Sequence, residues 1–297
     1  MLHQTRNFLK EGAALEDFQY PDRIVVGAAS DRAIKLLHQV YRPFCRKRDV
    51  MITMDICSAE LTKYVSNAML ATKISFMNEM SNIAELVGAD IERVREAVGA
   101  DNRVGYAFIF PGCGFGGSCF PKDLRALEFT SKSFGYTPRI LSAVQAVNVD
   151  QKQVLLTKIR SHFKNQLQGK RFAVWGLSFK PKTDDIREAS SCDLIEGLLK
   201  SGASVCAYDP EAMPNFKKQY EHEKHLFFSE SPEDALKKAD ALVVVTEWTE
   251  FRSPDFSLMM ARLSSPVVFD GRNVFDPEAM AALGIIYYSI GRRPVQI

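Results

Sequence analysis

The sequence predicts an α/β chain with a helical centre, and three observations carry that reading. From residue 170 onward, short apolar runs at 171–175, 203–208, 241–245, 266–269 and 285–288 alternate with helical stretches. That alternation calls for a doubly wound, mostly parallel sheet with helices on both faces and ligands at the C-terminal strand ends, a Rossmann-like arrangement. Between residues 51 and 165 helical periodicity dominates instead, interrupted by one glycine-rich stretch. Ahead of it, residues 1–50 hold a β-rich run, Arg23-Ile-Val-Val-Gly27, with a loop before it and a helical stretch after it. The expected domains are therefore 1–50, 51–165 and 166–297.

Composition narrows the classes of function. With 297 residues, 46% hydrophobic and 25% charged, the chain has ordinary globular make-up and length for about two domains. A net charge of +2 leaves no electrostatic footprint for nucleic acid or a membrane surface, so a small-molecule partner is expected. Six cysteines without C-x-x-C spacing or a matching histidine cluster argue against a metal site and fit a reducing cytoplasm. No secretory leader opens the text, and no apolar run reaches the ~18 residues needed to span a bilayer.

In chain order, helical spacing through Ala33, Ile34, Leu36, Leu37 and Val40 predicts a helix over 31–43, ended by Pro43. Residues 58–88 read as one long helix with Ser58 as cap and Gly88 as stop. It is apolar nearly all round from Ala68 to Val87, so it must be buried, and a homodimer interface is the expected cover. Within it Lys63 and Asn67, four apart, share a face; a Glu60–Lys63 surface pair is the plainer alternative. A short amphipathic helix over 90–98 and a polar break over 99–105 follow, and Phe108 and Phe110 taken alone read as core. Thr137-Pro138 opens a second long helix over 139–163, a connector between domains. At the end of the first C-terminal strand the text is not Gly-x-Gly-x-x-Gly, and Asp209 lies farther on than the ~20 residues usual for a ribose-binding acid, so no dinucleotide is placed there.

The stretch Gly114-Phe-Gly-Gly-Ser-Cys-Phe-Pro-Lys-Asp123 sets a thiol where a glycine loop meets a helix start. Ser118 suits a cap, Pro121 is tolerated in a first turn, and Cys119 in that turn is placed where the positive helix end and Lys122 favour thiolate. Asp123 follows one turn later on the same face. An inert cysteine beside a surface Lys–Asp pair is the alternative, and the glycine density weighs against it.

That stretch resembles the catalytic-cysteine motif of the UDP-glucose 6-dehydrogenase family, nucleotide-sugar dehydrogenases that oxidise an alcohol to a carboxylate. The resemblance runs from about Asn7 to about Arg272. Ala59-Glu-Leu-Thr-Lys-Tyr-Val-Ser-Asn67 matches A-E-x-x-K-x-x-x-N, and the text around Phe8 resembles P-E-F-L-x-E-G, with Arg6 and Asn7 standing where proline and glutamate are usual. The resemblance implies a double oxidation of UDP-glucose to UDP-glucuronate with NAD, in which Cys119 attacks the aldehyde. Lys63 and Asn67 would stabilise the oxyanion, and Asp123 and Glu11 would manage protons and water. The substrate would be held by Phe8, Leu9, Lys10, Glu11, Lys63 and Asn67, by the 108–116 segment (Phe108, Ile109, Phe110, Pro111, Gly112, Gly116), by Phe179, Lys180 and Arg272, and by Arg103 of a neighbouring subunit. Glu11, Lys122 and Arg187 would face the cofactor, and no metal is implied. Because no Gly-x-Gly-x-x-Gly opens the sequence, residues 1–50 would be the last part of an NAD-binding half, and this polypeptide alone is expected to bind UDP-glucose but oxidise it poorly. Sister enzymes acting on GDP-mannose or a UDP-N-acetyl-hexosamine are rival readings, as is a non-catalytic nucleotide-sugar-binding dimerisation module.

Overall fold

A computed structural model describes residues 3–6, 11–45 and 50–296. The chain forms two compact units, 1–69 and 70–297.

In the first unit, β1 (His3–Arg6) runs antiparallel to β2 (Ile24–Ala28), which pairs in parallel with β3 (Met51–Met54). Helix α1 (Ala14–Gln19) precedes β2 and α2 (Asp31–Tyr41) follows it. Ser30 caps α2, its Oγ accepting the Ala33 N–H at 3.4 Å. Only one side of α2 is used: Ala33 packs on Ile24 and Val26, while Leu36 and Val40 are exposed. Pro43 sits in a single 3-10 turn, Arg42–Phe44, beyond the end of α2.

Helix α3 (Ile56–Val87) begins in this unit and continues into the second. Its cap is Asp55, not Ser58: Asp55 Oδ1 accepts the Ser58 N–H at 2.8 Å, which makes Ser58 the third helical residue. On this chain by itself the apolar surround of α3 is divided between buried and exposed residues. Ala71, Ser75, Met77, Asn78, Ser81 and Ala84 are buried, whereas Phe76, Ile83, Leu86 and Val87 are exposed on this chain.

The second unit continues with α4 (Ile91–Ala100), capped by Asp90, then α5 (Phe120–Ser133), α6 (Arg139–Lys152) and α7 (Val154–His162). The single connector helix expected over 139–163 is thus two. At Gln153 the ladder tightens, its N–H reaching Asp150 three residues back at 3.0 Å, and the next helix restarts from its own carbonyl, bonded to Thr157 N–H at 2.9 Å.

From there the chain alternates as expected. In order come β4 (Arg171–Trp175), α8 (Ser190–Lys200), β5 (Ser204–Tyr208), α9 (Met213–Gln219), β6 (Leu226–Phe228) and α10 (Pro232–Ala235). Then follow β7 (Ala241–Val244), α11 (Phe256–Arg262), β8 (Val267–Asp270), α12 (Pro277–Ala282) and β9 (Ile286–Tyr288). The strands lie in the order β6-β5-β4-β7-β8-β9, with every pair parallel. Strand β6 is not among the expected strands, its short Leu226-Phe-Phe228 run being set between polar segments. Alternate residues feed two cores, Phe172, Val174, Val243 and Phe269 on one face, Ala173, Trp175, Leu242, Val244 and Val268 on the other. The strand order reverses beside β4, so the crevice of this sheet opens where β4 and β7 end. No helix among the described residues is long and apolar enough to cross a membrane.

Candidate active site

Cys119 stands at the N-cap position of α5, with φ −91° and ψ −63°. Two details differ from the expectation: Cys119 precedes the first turn instead of lying in it, and no side chain caps the helix, Ser118 Oγ resting 3.8 Å from Cys119 Sγ. The first helical bond runs from Asp123 N–H to the Cys119 carbonyl at 2.8 Å, so the thiol is carried by the residue that opens the positive end of α5. That residue is exposed, and Asp123, one turn on, is buried with Lys122 Nζ 3.7 Å from its Oδ1. Cys113 and Cys206 are buried, and burial pushes both thiols up, out of reach of nucleophilic chemistry at neutral pH. Among the described residues no cluster of His, Cys, Asp and Glu could hold a metal.

The loop that leads to Cys119 is held at nearly every residue. Gly112 N–H donates to Asn78 Oδ1 at 2.8 Å, and Gln151 Nε2 donates to the Gly112 carbonyl at 2.6 Å. Cys113 N–H donates to the Gly271 carbonyl at 2.9 Å, and Arg272 Nη2 to the Gly114 carbonyl at 3.1 Å. Asn148 meets Phe115 twice, accepting its N–H at 2.8 Å and donating to its carbonyl at 3.0 Å. Gly117, at φ +86°, donates to the Arg187 carbonyl at 2.8 Å. Two glycines are required outright: a Cβ on Gly116 would fall 2.2 Å from the Glu188 carbonyl oxygen, and one on Gly117 would meet the Phe179 ring at 2.8 Å. Glu188 itself has a left-handed backbone (φ 55°), a strained setting for a non-glycine residue. Its carboxylate accepts from Arg125 at 3.0 Å and Lys152 at 3.2 Å; burial works against its charge, but these two cations hold it below the usual range.

The other predicted residues divide between the two units. Phe108, Ile109, Phe110, Pro111, Arg103, Phe179, Lys180, Arg187 and Arg272 share the second unit with Cys119. Phe108 and Phe110 are exposed rather than core, Phe108 at φ 62° and Phe110 under the Arg95 guanidinium, 4.6 Å from its ring centroid. Ile109 is the buried one of the three. Lys180 Nζ lies over the Phe179 ring at 5.4 Å. Arg272 is turned onto main chain: besides Gly114 it donates from Nε to the Val245 carbonyl at 2.8 Å and pairs with Glu247 at 3.4 Å. Arg187 forms a two-pronged pair with Asp185 (2.8 and 2.7 Å), and the exposed Arg103 pairs with Asp101. Glu11, Lys63 and Asn67 belong to the first unit, the last two on one face of α3, where Asn67 is buried. Phe8, Leu9 and Lys10 lie outside the described residues.

Asp209, where a ribose-binding acid would stand, is fully buried and committed to the fold. Its Oδ2 accepts from Leu177 N–H (2.7 Å), Ser178 N–H (3.1 Å), Ser178 Oγ (3.2 Å) and Trp248 Nε1 (3.1 Å), and its Oδ1 from Glu211 and Ala212 N–H. A carboxylate so occupied has no lone pair left for a ribose hydroxyl.

Residues 57–150 match the central domain of the UDP-glucose/GDP-mannose dehydrogenase family, and residues 173–277 match its UDP binding domain. The chain belongs to the UDP-glucose/GDP-mannose dehydrogenase family. It is 48% identical over 288 residues to the UDP-glucose 6-dehydrogenase of Pseudomonas aeruginosa and 40% identical over 287 residues to that of Rhizobium meliloti. Each alignment covers 96% of this chain and 64% or 65% of the relative, so the chain spans just under two thirds of their length. The solved structure of a UDP-glucose dehydrogenase from Pyrobaculum islandicum superposes with a TM-score of 0.84 at 38% identity, over 92% of this chain and 60% of that one.

Within this dehydrogenase family member, the sequence pattern left out the residues that hold the loop: Asn78, Asn148, Gln151 and Glu188. A signal was there. The buried stripe of α6 and α7 reads Val144, Asn148, Gln151, Lys152, Leu155, and polar residues at core positions of a helical period ask for buried partners.

Proposed function

We propose that this chain binds UDP-glucose and presents Cys119 to its C6 in the family's NAD-dependent oxidation to UDP-glucuronate. The observation that carries this reading is the mount itself: an exposed thiol at the start of α5, on a loop clamped by main-chain bonds, while Cys113 and Cys206 are buried. The family reaction draws on two NAD molecules in succession, each of which would supply the acceptor for one hydride. The parallel sheet does not fit that dinucleotide, because Asp209 is saturated, so no hydride step is assigned to this sheet. Glu11, Lys122 and Arg187 are the residues the resemblance sets on the cofactor side.

Cys119 acts between the two oxidations. Its sulfur pair forms a C–S bond to the C6 aldehyde and the carbonyl π pair moves to oxygen, where Lys63 and Asn67 supply an ammonium and an amide to the developing charge. After the second oxidation the carbon is a thioester. Water adds to it, the C–S bond breaks and the thiolate leaves, with Asp123 and Glu11 taking up the protons. Phe179, Lys180, Arg272 and the 108–116 segment hold the nucleotide sugar, and Arg103 serves a second copy in a homodimer working in the cytoplasm.

Calorimetry with UDP-glucose, GDP-mannose and NAD, beside an absorbance assay for NADH, tests this. Binding of UDP-glucose in preference to GDP-mannose, with weak NAD binding and slow NADH formation by residues 1–297 alone, is expected. Preference for GDP-mannose would overturn the substrate, and rapid NADH formation would overturn the statement about the cofactor.

A further inference from the structure

We propose that Asn148 and Gln151 are positioning residues for Cys119, acting through the main chain of the cysteine loop and not by touching substrate. The inference rests on the reading of Cys119 as the nucleophile and adds what fixes it in place.

The two amides are three apart on α6 and therefore on one face, and both are buried. Each grips a peptide group of the same loop, three residues apart in turn: Gln151 at Gly112, where Asn78 completes the grip from the other side, and Asn148 at Phe115. Asn148 offers Phe115 both an acceptor and a donor, as a neighbouring β-strand would, to a stretch that belongs to no strand. Gln151 is aimed in turn by Asn82, whose Nδ2 donates to its Oε1 at 2.9 Å, leaving its Nε2 for the Gly112 carbonyl. The path to the thiol is short. The Phe115 ring packs edge-on against Phe120 with centroids 5.7 Å apart, and Phe120 is the first residue of α5, directly after Cys119. Main-chain groups buried in this loop have little access to water, so losing either amide leaves an N–H or a carbonyl unpaired and frees the loop to move. Phe115, one ring contact from the first residue of α5, would carry the thiol with it.

Asn148→Asp and Gln151→Glu test the claim with nearly unchanged volume, each replacing a donor by an oxygen that faces a carbonyl. The readout is the rate at which iodoacetamide labels each cysteine at neutral pH, followed by peptide mapping of the whole 297-residue chain. In the unsubstituted protein Cys119 is labelled fastest. Each variant is expected to slow Cys119 by roughly tenfold, in the range that small misplacements of a reacting group cost, with Cys113 and Cys206 still protected. An unchanged Cys119 rate overturns the proposal. Labelling of Cys113 and Cys206 along with Cys119, whether from loosening or from failure to fold, also overturns it, since it shows a general structural role. A slow Cys119 in the unsubstituted protein is a different failure: it removes the nucleophile reading on which the proposal stands.

Discussion

Cys119 opens α5 and Glu128 lies within it, and the two serve different ends. Cys119→Ser is expected to keep UDP-glucose binding, measured by calorimetry, and to lose the second oxidation and with it the formation of UDP-glucuronate, because the thiol takes part in chemistry and not in uniform binding. Glu128 is a fastener. Its carboxylate accepts from Lys132 Nζ (2.8 Å), Ser142 Oγ (2.9 Å) and Gln145 Nε2 (2.6 Å), tying α5 to the first turns of α6, and these bonds lower its pKa to about 2. A depressed folded pKa means that the unfolded chain binds the proton more readily, so stability rises with pH in this window. The contribution is complete above the ordinary value of 4.5 and fades as pH falls towards about 2. Thermal unfolding of the protein and of Glu128→Gln should therefore differ most at neutral pH and converge below pH 4.5; a gap that widens in acid would refute the assignment.

Among elements, the glycine loop and α6 depend on each other. Gly116→Ala is expected to destabilise the second unit by roughly 1–3 kcal/mol in denaturant unfolding, because the new methyl meets main chain that cannot rotate away. Much of this level was legible beforehand. Five of the six strands of the parallel sheet, the stop of α3 at Gly88 and the thiol at a helix start all follow from local pattern: apolar runs, a glycine, a proline in a first turn. The rest was decided at longer range. Asp55 in place of Ser58, the break at Gln153 and the exposure of Phe108 depend on which group finds a partner. Asn148 and Gln151 stand at core positions of the helical period, but their partners are carbonyls and N–H groups far along the chain, which the period does not name.

For the whole molecule, Phe76, Ile83, Leu86 and Val87 of α3 and Ile140 and Val149 of α6 are exposed, a surface that a second copy of the chain is expected to cover. Light scattering at micromolar concentration is expected to give twice the chain mass, and a stable monomer would remove the cross-subunit role of Arg103. UDP-glucose at about a hundred times its dissociation constant should add roughly 2.7 kcal/mol to the stability of the state that binds it, seen as a raised unfolding midpoint. Residues 57–150 and 173–277 match as two separate segments, yet the loop that carries the thiol lies in the first and donates to the Arg187 and Gly271 carbonyls of the second while accepting from its Arg272. The boundary between the matched segments is consequently a poor crossover point for recombination. A chimera that takes residues 173–277 from a distant relative would hand the nucleophile to a foreign scaffold, and exchanges that carry 111–117 together with 176–190 and 270–273 are the ones expected to keep Cys119 in register.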